Sequence, residues 1–327
     1  MAVYLDSWHN FEESMGGSRP VLKGTAEEMR NQFSGLISFL ATQRTRTWDN
    51  LTVKDDNING IAIRTYIPKS FEGKDAPVAV FYHSGGFVVG DLDSEDAFCR
   101  TISADANMAV ISVDYRLSPE HKAPAQLEDA LAVFEWIYKN ASSIGVCSAR
   151  MFTIGTSAGG ALALAVTRKI VLGQSTVPTD TVKGIFALCP LVVHPSNVPA
   201  EYKTLYTSFE EHKERVPIID KECLLEMYNC AGLQPNNQNY YPVLDPESLK
   251  RFPPTHIVTC ENDPLRDDGK LLSSALSASG AVVDTKHFDG LPHCFWIIPS
   301  LPESELFLQD LTRRVKEAVK GMSLSIN

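Results

Sequence analysis

Apolar positions change their spacing several times along the chain, and each change marks an element. Met29, Phe33, Leu36, Ile37 and Leu40 recur on one helical face. Ahead of them, Thr25-Ala26-Glu27-Glu28 has the capping-box pattern, a hydroxyl answered by a carboxylate three residues on. The period then drops to two: Ile61-Ala62-Ile63-Arg64-Thr65-Tyr66-Ile67 alternates as a half-buried antiparallel strand does. Beyond it come short runs without alternation, at 78–82, 109–113, 151–154, 184–188 and 256–259. Runs of this kind suit strands covered on both faces of a parallel sheet. Helical stripes lie between several of them. Leu127, Ala130, Leu131, Phe134, Ile137 and Tyr138 form one. The last, Leu308, Leu311, Val315, Ala318 and Val319, is opened by a second capping-box spacing at Ser300-Leu301-Pro302-Glu303.

Alternation of strands and helices predicts an α/β fold, a mostly parallel central sheet flanked by helices. Right-handed crossovers then gather the loops at the strand C-terminal ends along one edge, where ligands bind in such sheets. One interval breaks the rhythm. About 60 residues separate Pro190 from Pro253, too many for a simple crossover, and they hold a polar helical patch at 201–215 and a second helix at 221–230. The expectation is a core of 46–190 and 251–327, with 1–45 and 191–250 packed together over the ligand edge as a helical cap. A surface helix pair without function is the alternative. Within this segment Tyr206 and Phe209 either line a pocket or pack on the core.

Composition narrows the function classes. The chain has 327 residues, 44% of them hydrophobic, and a formal net charge of −10. Such a surface repels phosphate backbones and anionic lipid, which argues against nucleic-acid or membrane-surface partners. No apolar run approaches the ~20 residues that span a bilayer, and the N-terminus lacks the basic-then-apolar pattern of a secretory signal. The seven cysteines are scattered without a C-x-x-C pair. That speaks against a zinc site or a disulfide framework and for a reducing, cytoplasmic setting, where the sequons at Asn50 and Asn140 stay silent.

The candidate chemistry begins at Gly155-Thr156-Ser157-Ala158-Gly159, which follows the 151–154 run and opens a helix of small residues. A sharp strand-to-helix turn there lifts Ser157 above the sheet edge, and the helix N-terminus aims free N–H groups at an incoming oxyanion. His83-Ser84-Gly85-Gly86-Phe87 follows the 78–82 run directly. Its paired glycines let backbone N–H groups approach a ligand, so Gly85, Gly86 and Ala158 make a candidate three-donor oxyanion hole.

These two segments, with Asp114-Tyr115-Arg116-Leu117-Ser118-Pro119-Glu120, Asp263-Pro264-Leu265-Arg266-Asp267-Asp268-Gly269 and His293-Cys294-Phe295, resemble the hormone-sensitive-lipase-like carboxylesterases. These are α/β-hydrolases with a cap, and the motifs stand here in the family's order across roughly 75–300. The chain order of such a triad is serine, acid, histidine. The resemblance makes Asp263 the acid. Glu261, Asp267 and Asp268 compete, the last two reading as a solvated or capping face of the next helix. Of eight histidines, His293 alone sits on a loop past the last strand, free to reach the sheet edge, and it is the candidate base. His9, His194 and His212 read as solvated, His121, His256 and His287 as structural, and His83 as a brace for the oxyanion loop.

The expected activity is hydrolysis of a small-to-medium ester through an acyl-enzyme on Ser157, without metal or organic cofactor. Three positions depart from the family pattern: Ser84 replaces a glycine, Thr156 an aspartate and Cys294 a glycine. They leave room for a non-hydrolytic relative (a cyclase, dehydratase or lactone-opening enzyme) and for a small-molecule receptor on the same scaffold. The oligomeric state is not legible in the sequence, although members of the family it resembles often form homodimers.

Overall fold

A computed structural model describes residues 3–71 and 75–323. Its eight strands are β1 (Leu51–Ile58), β2 (Ile61–Pro68), β3 (Ala76–Tyr82), β4 (Ala109–Asp114), β5 (Val146–Thr156), β6 (Val182–Leu188), β7 (Thr255–Asn262) and β8 (Val283–Pro292). They form one sheet in the order β1-β2-β4-β3-β5-β6-β7-β8. The alternating segment is β2, and it pairs antiparallel with both β1 and β4. Every later pairing is parallel. The uniformly apolar run in β3 is buried at all seven positions, because helices cover both faces of the sheet there. β1 carries no such signal. It lies at the sheet margin with its middle exposed, so nothing selects apolar residues at Lys54, Asp55, Asp56 and Asn57. Asn59 and Gly60, both with positive φ, turn β1 into β2.

The helix Ala26–Thr42 starts as its capping box requires. Thr25 Oγ1 accepts the Glu28 N–H at 3.3 Å, and Glu28 Oε2 accepts the Thr25 N–H at 2.7 Å. The helices Ala125–Asn140 and Pro302–Ser323 cover the stripes read above, while Asp6–Ser14 and Asp96–Ala106 lack a comparable sequence signal. The turn after β4 is held by Arg116, whose guanidinium and backbone N–H both bond to Asp129.

The insertion between β6 and β7 differs from its reading in one respect. The 221–230 helix is present as Lys221–Ala231, begun by Asp220 and ended by Gly232 in the left-handed region. The 201–215 patch is not one helix. It contains only a 3-10 turn, Ala200–Tyr202, and a single α-turn, Ser208–Glu211. The N–H groups of Thr207 and Ser208 are instead taken by the Asp267 carboxylate, at 2.8 and 2.7 Å. The N-terminal arm joins the insertion: Leu22 N–H donates to Ile218 O at 3.0 Å, and Ile218 N–H to Pro20 O at 2.6 Å. Arg30 ties the same arm to the loops after β3 and β4 through Val88 O and Ser118 O. Among the described residues, no helix is long and apolar enough to cross a membrane.

Candidate active site

β5 runs directly into the helix Ala158–Val171, and Ser157 is the one residue between them. Its φ of 57° and ψ of −117° lie where L residues rarely sit. Hydrogen bonds fix this strained corner: Ser157 N–H donates to Leu188 O on β6 at 2.7 Å, and Ala161 N–H donates back to Ser157 O at 3.1 Å. Close packing explains the small neighbours. A Cβ on Gly159 would stand 1.9 Å from the Tyr82 carbonyl oxygen.

That carbonyl belongs to the end of β3, which leads into the second candidate loop. His83 is buried, with Nδ1 2.7 Å from Ser84 O and its ring stacked on Tyr115 at 4.2 Å. Tyr115 in turn donates its hydroxyl hydrogen to His83 O. Burial depresses the His83 pKa to about 4, so the ring is neutral near pH 7 and works as a brace. The Ser84 N–H is committed to Glu95 Oε2 at 2.7 Å. Among the described residues, the N–H groups of Gly85, Gly86 and Ala158 meet no acceptor. Three donors thus stand ready around Ser157. At Gly86, with φ of 61°, a Cβ would fall 2.0 Å from Met227 Sδ, so the helix Lys221–Ala231 rests directly on this loop.

Asp263 follows β7 and is fully buried. Its Oδ1 accepts the Leu265 N–H at 2.8 Å, which leaves Oδ2 for His293 Nδ1 at 2.7 Å. His293 follows β8 and is buried as well. Burial works against the imidazolium, but the adjacent Asp263 carboxylate outweighs it and holds His293 above the usual imidazole range. Ser157, His293, Gly85 and Gly86 line one cavity of about 20 Å3, roofed by Ile218, Leu224, Met227 and Tyr228 of the insertion and by Leu22 and Phe33 of the arm. That is room for little more than one water molecule.

A family model described as the α/β-hydrolase fold matches residues 79–297. The chain is 38% identical over 312 residues to a versiconal hemiacetal acetate esterase of Dothistroma septosporum, covering 95% of this chain and 94% of that one. It is 30% identical over 330 residues to the enzyme of the same name from Aspergillus parasiticus, covering 98% and 99%. The chain belongs to the hormone-sensitive-lipase-like α/β-hydrolases.

Among solved structures, a hyperthermophilic esterase from the archaeon Pyrobaculum calidifontis superposes on this hydrolase with a TM-score of 0.82 at 25% identity, covering 99% of both chains. A thermophilic carboxylesterase from a metagenomic library gives 0.79 at 28% identity, covering 90% of this chain and 98% of that one. With such relatives, this hydrolase is a carboxylic ester hydrolase.

Two sequence readings need correction. Of the two alternatives for Asp267 and Asp268, a solvated or a capping face, the solvated one fails: both are buried. Asp267 holds the 207–208 backbone, while Asp268 accepts the N–H groups of Val192 and Val193 and the Tyr206 hydroxyl. The first turn of the helix Arg266–Ala278 points at an insertion whose N–H groups lack secondary-structure partners, and the two carboxylates supply them. His212 is also buried rather than solvated. Burial lowers its pKa below the ordinary imidazole value. Tyr206 and Phe209 are absent from the cavity wall; Phe209 packs in the core, and Tyr206 is engaged with Asp268.

The departures from the family pattern have local meanings. Cys294 has φ of 54°, a left-handed conformation that glycine adopts without strain. Ser84 places its N–H on Glu95, a residue no sequence pattern singled out. Beneath the histidine, the Cys189 and Cys260 sulfurs lie 3.5 Å apart, and with Asp263 they bring three potential metal-ligand atoms within 4.8 Å of one another. Both Asp263 oxygens are already engaged, so a cation at this point would compete with His293.

Proposed function

We propose that Ser157 is the nucleophile, His293 the general base and Asp263 the acid that orients it, with Gly85, Gly86 and Ala158 forming the oxyanion hole. His293 takes the Ser157 proton as Oγ attacks the ester carbonyl, and the three N–H groups receive the developing oxyanion. His293 then protonates the leaving alcohol, and water, deprotonated by the same ring, releases the acid. The observation that carries this reading is the buried 2.7 Å contact between His293 and Asp263 on the wall of the cavity that Ser157 enters.

The acyl group is short, acetate or close to it. Two considerations support this: the space beside Ser157 is about 20 Å3, and the relatives at 38% and 30% identity are named as acetate esterases. Residues 1–45 and 191–250 act together as a cap that closes over the ester. The backbone bridge between Leu22 and Ile218 and the seat of Met227 on Gly86 support that role. Hydrolysis of p-nitrophenyl esters from acetate to decanoate tests the proposal. The expected result is highest kcat/KM at acetate, abolished in Ser157→Ala, with a fluorophosphonate probe labelling only the wild type. Undiminished turnover in Ser157→Ala, or an optimum at long chains, would overturn it.

A further inference from the structure

Glu95 holds the N-cap position of the helix Asp96–Ala106, yet its side chain makes no capping bond there. It turns inward and is 3% exposed. Among the described residues, no lysine or arginine forms an ion pair with it. A carboxylate taken out of water without a cation is costly unless hydrogen bonds replace its hydration. The Ser84 N–H supplies one at 2.7 Å, and the side chains of Thr156 and Ser84 supply others. Burial raises the Glu95 pKa, and these bonds oppose the rise.

The partners of this carboxylate are the residues that precede the reacting groups. Thr156 precedes Ser157, and Ser84 precedes Gly85. Two of the three departures from the family pattern, Ser84 and Thr156, therefore meet on Glu95. The peptide between Ser84 and Gly85 is pinned as well, because His83 Nδ1 donates to Ser84 O at 2.7 Å. A peptide unit is planar, so fixing that carbonyl sets the direction of the Gly85 N–H. Glu95 holds the peptide before it, and the loop cannot rotate without breaking both bonds. On the elbow side, Ser157 N–H is fixed to Leu188 O at 2.7 Å. What remains free is the spacing between the two turns, which end the neighbouring strands β3 and β5, and the carboxylate spans it.

We propose that Glu95 is a positioning residue whose carboxylate ties the oxyanion loop at Ser84 to the nucleophile elbow at Thr156, and so keeps the Gly85, Gly86 and Ala158 donors in register with Ser157. This role rests on the serine-esterase reading. Glu95 touches no reacting atom. Its effect is felt when the ester oxygen takes up charge, because donors already aimed need no reorganisation at that moment. Loss of the tie therefore lowers kcat and leaves KM in place. An aspartate at 156, as in the family pattern, would set a second carboxylate against Glu95, and two such groups at one site resist joint ionisation. Threonine at 156 and glutamate at 95 form a matched pair.

The test pairs p-nitrophenyl acetate hydrolysis with inhibition by 1,1,1-trifluoroacetone, whose hemiketal oxyanion on Ser157 would use the same three donors. Glu95→Gln keeps an oxygen for the Ser84 N–H and removes the charge. Its kcat should fall about tenfold with KM unchanged, and the inhibition constant should rise by the same factor. Thr156→Val keeps the shape, removes the hydroxyl, and should lower kcat about threefold. Thr156→Asp should lose about a hundredfold, and adding Glu95→Gln should return about tenfold of it, a rescue that packing damage would not give. Thermal unfolding establishes that each variant is folded. Unchanged kcat in Glu95→Gln and Thr156→Val, losses confined to KM, or a double variant no better than Thr156→Asp would each overturn the proposal. Ser157→Ala separates the two readings. Undiminished turnover there removes the esterase mechanism and this role with it, whereas an inactive Ser157→Ala beside undisturbed Glu95 and Thr156 variants removes this role alone.

Discussion

Replacing Asp263 by Asn tests the centre of the reading most directly. Asn keeps a carbonyl oxygen for the Leu265 N–H, so the loop after β7 retains its hydrogen bond. What changes is the partner of His293 Nδ1 at 2.7 Å. In the proposed reaction that ring becomes an imidazolium. At an effective dielectric of about 20, a unit charge pair at this separation is worth about 6 kcal/mol. Each 1.36 kcal/mol is a factor of ten in rate, so the loss comes to about four orders of magnitude in kcat. An amide also stabilises the wrong imidazole tautomer, and in Ser-His-Asp enzymes this substitution has an effect of that size. The assay is p-nitrophenyl acetate turnover, with thermal unfolding to establish that the variant is folded. Glu261→Gln serves as the control, because the Glu261 carboxylate is occupied by the Gly290 N–H at 2.6 Å. A folded Asp263→Asn variant that keeps more than a tenth of wild-type kcat, or a larger loss in the Glu261 variant, would refute the assignment.

The raised pKa of His293 sets the direction of a pH profile: the base must be neutral, so kcat/KM rises with pH as the ring deprotonates, with a midpoint above the ordinary 6.5. Asp263→Asn should move that midpoint downward, and an unmoved midpoint would mean another group titrates. In Gly86→Ala the new Cβ meets Met227 Sδ, and displacement of one oxyanion donor costs about 10²–10³ in kcat. Adding Met227→Ala should return part of that loss, and a double variant no better than the single would refute the steric account. Gly159→Ala offers no such relief, because the Cβ meets backbone oxygens of Tyr82 and His83; urea unfolding should show a loss of more than about 4 kcal/mol, and wild-type stability would contradict the packing described.

The parallel strands and the places of the proposed triad residues at their ends were legible in the chain for a common reason. Burial on both faces writes an uninterrupted apolar run into β3, β4 and β5, and the loops after such runs fall on one edge of the sheet whatever the details of packing. Ser157, Asp263 and His293 each follow a strand, so recognising the strands and the motifs around them was enough to bring the three to one place. β1 and the helix Asp96–Ala106 were not visible in the same way, since an exposed strand margin and a short mixed helix leave no clean period.

Contacts between distant segments left no trace in local pattern. Asp267 and Asp268 read as a solvated or capping helix face because spacing along one helix says nothing of what packs opposite; their carboxylates are buried because the insertion brings N–H groups without secondary-structure partners to them. The same holds for Glu95, whose link to the Ser84 N–H joins the helix at 96–106 to the loop after β3, and for Met227, which meets Gly86 from 141 residues away in the chain. Reaction chemistry here follows from short motifs on a sheet whose geometry is generic. The size of the space beside Ser157 follows from which side chains of the arm, the insertion and the C-terminal loop converge there, and that convergence is settled only by packing of the whole chain.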